Sequence, residues 1–513
     1  LRNTIKLDLK LSIFTWLILI CVTASYGQTK ENTSPNIIVF LVDDMGLMDS
    51  SVPFLLDSNG KPVKYPLNDF YRTPHMEKLA EQGIRFSNFY AHSVCSPSRT
   101  SILTGQNSAR HGVTNWIKSE ENNRSEFGPT NWNWKGLEKE SLTLPRILQN
   151  SGYKTIHVGK AHFGPYNSEG EDPLNLGFDV NIAGSSIGQP GSYLGTESFG
   201  HTGGYKARAV PGLEKYHGQD IFLTEALTLE ANLAISKAKE EGKPFFLNMA
   251  HYAVHAPFYS DPRFAANYKD SGMSDKVQAY ATLIEGIDKS LGDILQHVED
   301  LGLGENTLVF FLGDNGSDAP LPIENDYSSS SPLKGKKGNH WEGGMRVPFI
   351  ASWVTPKKNV SSQLKLPIAR NATQEQLASI LDIFPTLCQV ANVGLPSDLI
   401  TDGFNLESQL TGSKSELRNE LFLNHFPHGN HRSNYFTSLV QSDWKIIYHY
   451  QINNDLRYEL FNLKQDPFET NNMADENPGQ LKKMMQILAV EMNKKKALYP
   501  EKNGELLELI MHE

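Results

Sequence analysis

Four short apolar runs, each ending in polar residues of a catalytic kind, set the strongest limit on what this chain can become. Asn36-Ile37-Ile38-Val39-Phe40-Leu41-Val42 leads into Asp43-Asp44, and Thr307-Leu308-Val309-Phe310-Phe311-Leu312 leads into Gly313-Asp314-Asn315-Gly316. Tyr153 to Val158 leads into Gly159-Lys160-Ala161-His162, and Pro244 to Met249 leads towards His251 and His255. Continuous apolar runs of this length suit strands buried on both faces of a largely parallel sheet, since a half-exposed strand would alternate. Helical patterns lie between them. Asp220 to Glu241 carries Ile221, Leu223, Ala226, Leu227 and Leu233, and Lys276 to Leu301 carries Tyr280, Leu283, Ile284, Ile287, Leu291, Ile294 and Leu295. Strand, helix, strand is the α/β pattern. The expected fold is a large mixed, mostly parallel sheet flanked by helices. Ligands of open α/β sheets bind beyond the carboxyl ends of the strands, so the polar residues after the four runs should converge on one site.

The remaining chain has a different texture. Gln374 to Val393 reads as a further helix, Tyr435 to Val440, Trp444 to Tyr450 and Tyr458 to Leu463 as short strands, and Pro478 to Ala497 as a terminal helix. A length of 513 residues suits one large domain plus a smaller one. The expected division is a signal peptide over 1–27, the α/β domain over 28–410, and a C-terminal α+β subdomain over 411–513 with a small antiparallel sheet and the terminal helix. The signal reading rests on Lys6 and Lys10 before the apolar run Leu11 to Thr23, and on the small residues of Ala24-Ser25-Tyr26-Gly27. That run is too short for a comfortable span, so export to the periplasm, or secretion, is expected without stable membrane insertion. A net charge of -10 and the lack of a basic run exclude nucleic acid as a partner. Of Cys21, Cys95 and Cys388, removal of the signal leaves two, and one of those sits in a motif that consumes it. No disulfide framework is implied.

That motif is Cys95-Ser96-Pro97-Ser98-Arg99. It follows a strand expected over Gly83 to Tyr90 and opens a helix through Thr100 to Leu103. A nucleophile at a helix N-terminus faces the partial positive charge of backbone amides, and Arg99 lies about one turn on. An isolated cysteine is more often a buried structural one, but the surrounding pentapeptide reverses the odds. Followed by Thr100-Ser101-Ile102-Leu103-Thr104-Gly105, it resembles the signature of the formylglycine-dependent sulfatases, members of the alkaline phosphatase-like superfamily. Gly159-Lys160-Ala161-His162-Phe163-Gly164 is similar to that family's second motif, with Ala161 where Trp is usual. Asp314-Asn315-Gly316 is similar to its late metal motif. Leu333 to Gly338, Trp341 to Pro348, Asp443 to Tyr448, Glu459 to Leu463 and Asp466-Pro467 resemble further family blocks, in the family's order.

The resemblance implies an alkaline phosphatase-like fold and a set of roles. A separate formylglycine-generating maturation enzyme oxidises the motif cysteine, here Cys95, to formylglycine (3-oxoalanine). Of the hydrated aldehyde's two hydroxyls, one attacks sulfur and releases the alcohol. Loss of the other's proton then expels sulfate, so a sulfoenzyme intermediate divides one hard step into two. Asp43, Asp44, Asp314 and Asn315 offer hard oxygen ligands, right for Ca²⁺ or, second, Mg²⁺ and poor for structural zinc. By resemblance they hold one cation that also touches residue 95. Arg99, Lys160 and Lys337 are the fixed cations around sulfur; Lys337 is preferred to Lys334 and Lys336 because Gly338 after it matches the family's glycine. His162 by resemblance assists formylglycine turnover. His255 matches the histidine that protonates the leaving oxygen with Lys337, and His251 is the alternative. His75, His92, His111 and His157 read as structural.

Substrate signals are more diffuse. Trp116, Trp132 and Trp134 lie in one loop, where they could stack on sugar rings or pin the loop. His425, Pro427, His428, His431 and Arg432 lie where the family often builds its substrate pocket, and Ser185 or Ser186 is a further candidate for touching sulfate. The expected activity is hydrolysis of a sulfate ester on a sulfated polysaccharide or oligosaccharide, with an algal polysaccharide such as ulvan favoured. The rivals are a phosphatase or phosphodiesterase of the same superfamily, which would use Ser or Thr and two transition metals, and an inactive glycan-binding relative.

Overall fold

The computed structural model describes residues 34–322, 329–397, 399–429, 431–451 and 456–511, so the expected signal peptide lies outside the described residues. Its first strands are β1 (Asn36–Val42), β2 (Ile84–Phe86), β3 (Phe89–Tyr90), β4 (Lys154–Gly159), β5 (Val180–Ile182), β6 (Phe245–His251), β7 (Thr307–Gly313), β8 (Phe349–Trp353), β9 (Ala372–Gln374) and β10 (Ala378–Ser379). β3 and β10 form a short parallel pair. The other eight make one sheet in the order β5-β4-β6-β1-β7-β8-β2-β9. Only β8 is reversed, antiparallel to both β7 and β2. The four apolar runs of the sequence are β4, β6, β1 and β7, side by side at the centre.

Their sequences are apolar throughout because both faces are covered. On β1, Ile38, Phe40 and Val42 face one layer, where the helices Leu223–Glu240 and Asp275–Asp300 contribute Leu223, Leu227, Ile284, Ile287 and Leu291. Ile37, Val39 and Leu41 face the other, with Ile102 and Leu103 of the helix Cys95–Thr104 and Phe384 and Leu387 of the helix Ile383–Val390. Among the described residues no helix is long and apolar enough to cross a membrane.

Two expectations are corrected. The strand expected over Gly83 to Tyr90 is two, β2 and β3, which pair with different partners on either side of Ser87-Asn88. The helix expected over Gln374 to Val393 is helical only at Ile383–Val390, after β9, β10 and a 3₁₀ turn. Pro385 explains this: it fits the first turn, whereas a helix begun at Gln374 would place it in the interior, where it breaks the hydrogen-bond ladder.

The C-terminal part adds β11 (Leu421–Phe426), β12 (Phe436–Gln441), β13 (Trp444–His449) and β14 (Tyr458–Asn462), an antiparallel sheet in sequence order. One face, with Leu423, Leu439, Ile446 and Leu460, packs on Leu481, Met485 and Leu488 of the helix Pro478–Lys495. The other, with Phe426, Phe436, Ile447 and Phe461, packs on Val94, the residue before Cys95. Lys445 projects from this second face, fully buried, with Nζ 3.0 Å from Glu342 and 2.7 Å from Glu469. Removing one partner of a buried ion cluster strands the rest. Lys445→Ala should therefore lower the unfolding free energy in urea by about 3–5 kcal/mol, while Lys494→Ala, at an exposed position, should leave it nearly unchanged.

Candidate active site

The sheet brings the polar termini of its central strands level. Val42 of β1 lies opposite His251 of β6 and Gly313 of β7, and Gly159 of β4 lies opposite Ala250. Backbone pairing continues past the strands. The Asp43 amide donates to the Ala253 carbonyl (3.1 Å), Asp314 to Val42 (3.1 Å) and Lys160 to Ala250 (2.7 Å). Asp44 and His162 turn into the left-handed region at φ 61° and 58°. Such positions cost about 1–3 kcal/mol and persist where surrounding structure holds them.

Cys95 is the first residue of its helix, after the extended Val94. Arg99 is buried one turn further on. Its Nε donates to Asp314 Oδ2 at 2.8 Å and its Nη1 to the Lys160 carbonyl at 2.7 Å. Its Nη2 lies 3.5 Å from Asp43 Oδ1 and has no hydrogen-bond partner. Lys160 Nζ donates to both oxygens of Asp43 at 2.8 and 2.7 Å. Lys337 Nζ donates to Asp44 at 2.7 Å. Its loop is fixed by backbone bonds from Lys337 to Ser317 and from Gly338 to Ser93. Gly338 has φ 81°, and a side chain there would meet His431.

The two proposed proton carriers are oriented by carbonyls. His162 Nε2 lies 2.6 Å from the Ile117 carbonyl. A carbonyl can only accept, so Nε2 carries the proton. Burial, with Lys160 adding to it, holds this imidazole well below its ordinary pKa, hence neutral. Its Nδ1 lone pair then faces Cys95 Sγ at 3.4 Å and Ser96 Oγ at 3.3 Å. His255 Nδ1 likewise donates to the Ala256 carbonyl at 2.8 Å, leaving Nε2 3.6 Å from Asp44 Oδ2.

A family model described as Sulfatase matches residues 35–393. The chain belongs to the sulfatase family. A second model, N-sulphoglucosamine sulphohydrolase, C-terminal, matches residues 337–497. The N-acetylgalactosamine-6-sulfatase of Canis lupus familiaris is 31% identical over 78% of this chain and 70% of its own. A protein of Formosa agariphila named Sulfatase is 30% identical over 96% of this chain and 94% of its own. Among solved structures, Ps i-CgsB in complex with k-i-k-neocarrahexaose superposes with a TM-score of 0.69 at 22% identity, covering 94% of this chain and 95% of that one. The molecule is a sulfuric ester hydrolase.

In this sulfatase, Cys95, His162, His255 and Lys337 share one cavity of about 380 Å³, rimmed by Trp116, Tyr205, Arg208, Gln189, Asp318, His431 and Arg432. Arg99, Lys160 and the carboxylates lie behind this floor. Tyr205, Arg208, Gln189 and Asp318 were not singled out from sequence; they come from loops with no motif, and only the arginine's charge could have pointed to a site for anions. His251 does not line the cavity: its Nε2 bonds Ser290 Oγ at 2.9 Å. Trp132 is buried with Val113 and Ile117, and Trp134 packs on them. His425 bonds Thr437 and the Leu498 carbonyl, and His428 bonds Thr114. Ser186 is buried near Glu171, and the Ser185 carbonyl accepts from the His162 amide.

The acidic cluster suits a hard cation. Carboxylate oxygens of Asp43, Asp44 and Asp314 lie within 4.8 Å of one another, and the buried Asn315 Oδ1 has no hydrogen-bond partner. Burial raises Asp43 and pushes Asp314 up to about 6, with neighbouring carboxylates adding to it. For Asp44 burial acts the same way, but Lys337, His255 and Lys160 outweigh it and hold the group below its usual range. Arg99, Lys160 and Lys337 each pair with one of the three acids, yet burial still raises two of them, and an all-oxygen donor set favours Ca²⁺ or Mg²⁺ over softer ions. Adding Ca²⁺ to chelated protein should raise the calorimetric unfolding temperature, by the equivalent of about 2.7 kcal/mol at a hundredfold excess over Kd. Asp314→Asn should reduce that response, and an unchanged response would remove Asp314 from the ligand set.

Proposed function

We propose that this sulfatase cleaves sulfate esters on a sulfated polysaccharide or oligosaccharide, with algal polysaccharides such as ulvan as the favoured class, using a formylglycine made from Cys95 and one Ca²⁺ held by Asp43, Asp44, Asp314 and Asn315. The observation that carries this reading is the convergence of Cys95, His162, His255 and Lys337 on the floor of one cavity with Trp116, Arg208 and Arg432 at its rim. The rim offers an aromatic ring for a sugar and two arginines, Arg208 paired with Glu120 and Arg432 with Asp318, that would have to share their charge with anionic groups of the substrate. The carbohydrate named for the dog relative, N-acetylgalactosamine, and the oligosaccharide in the Ps i-CgsB complex agree in class. The leader read from the sequence agrees with export, to the periplasm or by secretion, and a separate maturation enzyme that acts on Cys95 is part of the proposal.

Formylglycine supplies a hydrated aldehyde as nucleophile, and the cation supplies positive charge beside it. The remaining work falls to side chains of this chain. His162 Nδ1 faces residue 95 with a free lone pair and takes a proton from it. Arg99 and Lys160 hold the carboxylates in place, and Arg99 Nη2 is a spare donor. Lys337 faces the cavity as a cation: burial alone would depress its ammonium, but Asp44 more than offsets this and raises it above the ordinary value. It binds a sulfate oxygen. His255 gives a proton from Nε2 to the departing oxygen. Burial and Lys337 lower this imidazole to about 4 in the free enzyme, and an arriving sulfate anion draws the proton onto it.

Three measurements test these steps. Active protein should yield a tryptic peptide containing residue 95 with the mass of the aldehyde or its hydrate. Full activity with an unmodified cysteine would end the formylglycine reading. His255→Ala should lower kcat/KM for a sugar sulfate about 10²- to 10⁴-fold and far less for a nitrophenyl sulfate, whose phenolate leaves without a proton. Arg99→Ala should harm both substrates. Equal losses in His255→Ala would move the acid role to Lys337. A panel of defined sulfated oligosaccharides, ulvan fragments included, tests the substrate class: activity on aryl sulfates alone would reject it.

A further inference from the structure

Three buried side chains converge at a place none of these steps uses. One nitrogen each of His340 and His449 and a carboxylate oxygen of Glu459 lie within 4.8 Å of one another. The sheet explains two of them. Glu459 of β14 pairs with Ile447 of β13, and His449 lies two residues beyond Ile447, on the same face. His340 comes from the loop that carries Lys337, three residues earlier in sequence.

The donor set differs from that of the acidic cluster. Two imidazole nitrogens and one carboxylate oxygen suit a borderline transition metal, Zn²⁺ foremost, where the all-oxygen cluster suits Ca²⁺. Ligand atoms about 2.0–2.1 Å from a tetrahedral Zn²⁺ lie about 3.3–3.4 Å from each other. Here His340 Nε2 lies at that spacing, 3.4 Å, from Glu459 Oε1, while His449 Nε2, 2.8 Å from the same oxygen, sits at hydrogen-bond distance and would draw back by about 0.5 Å to share an ion.

A hydrogen-bonded cluster accounts for less of this. His449 can donate to Glu459 Oε1 at 2.8 Å, whereas His340 Nε2 faces the same oxygen at 3.4 Å, long for a hydrogen bond, and is buried with no other partner. Its Nδ1 lies 3.1 Å from Ser433 Oγ, the kind of outer bond that fixes the ring of a metal-binding histidine. Glu459 Oε2 is engaged by Trp341 Nε1 at 3.3 Å, which leaves Oε1 to the two imidazoles. The rings of Trp341 and Phe436, centred 4.2 and 5.3 Å from that of His340, form an apolar shell.

We infer that His340, His449 and Glu459 form a second metal site, taking Zn²⁺ or a similar transition metal, which ties the loop bearing Lys337 to the C-terminal sheet. Full-length protein, stripped by chelation and re-equilibrated with Zn²⁺ in saturating Ca²⁺, should keep one Zn²⁺ per chain after desalting, read by elemental analysis. Co²⁺ in its place should show the visible absorption of a four-coordinate site with nitrogen ligands. His340→Ala and His449→Ala should lose the ion, Ser433→Ala should weaken it about 10- to 100-fold, and Asp314→Asn should keep it, since that residue belongs to the other cluster. Glu459→Gln, closest in shape, carries the comparison if the histidine variants do not fold. Wild-type protein that retains no Zn²⁺ overturns the inference, as does equal retention by folded His449→Ala or Glu459→Gln.

Discussion

The structure is organised around the burial of three carboxylates, Asp43, Asp44 and Asp314, at the ends of two adjacent strands. Moving one such ion into a medium of low dielectric costs about 20 kcal/mol in the idealised limit, and several after relaxation. The chain cannot meet that cost locally, because each run ends in acids and carries no cation of its own. The compensating charges arrive from elsewhere: Arg99 from the helix after β3, Lys160 from the end of β4, Lys337 from a loop after β7. The site is therefore complete only when the whole α/β layer is assembled. A defect in any of these elements leaves a buried charge unmatched.

The same constraint gives the C-terminal sheet a role in the site although it contributes no residue to the acidic cluster. Its inner face covers Val94 and so supports the first turn of the nucleophile helix. Lys445 anchors it to Glu342, at the start of the short helix Glu342–Met345, which follows the Lys337 loop directly. Lys337 is thus held between two backbone bonds to the α/β layer and a buried ion cluster on the sheet. Lysine has a long flexible stem, and holding its ammonium against Asp44 requires that the backbone beneath it be fixed from both sides.

How much of this could be read in advance depended on how local the cause was. The four central strands were legible because burial on both faces leaves an unbroken apolar run, and the residues after them were legible because strand ends in such sheets bear ligands. The signature around Cys95 carried the rest. β8 and β11 are as long as β12, β13 and β14, but Phe349 to Trp353 and Leu421 to Phe426 lie among other patterns and were not recognised. The rim residues Arg208, Gln189 and Tyr205 sit in irregular loops whose path is set by tertiary contacts alone. The tryptophan loop was a mixture: Trp116 reaches the cavity, while Trp132 is core.

The choice between His251 and His255 shows where local reasoning was sufficient but incomplete. Side chains alternate along a strand, and Phe245, Leu247 and Met249 of β6 all enter the layer formed by the two long helices. His251 has the same parity, so its ring belongs to that layer, and it is found against Phe40 and Ser290 of the helix Asp275–Asp300. Burial there lowers it to about 3, which fits a neutral, structural imidazole. His255 lies four residues later, past the strand and free of its alternation, and its carbonyl partner at Ala256 turns Nε2 towards Asp44 and the cavity. Strand parity separates the two histidines without any reference to a family: one is bound to the core by the pleat of β6, and the other is released by the strand's end.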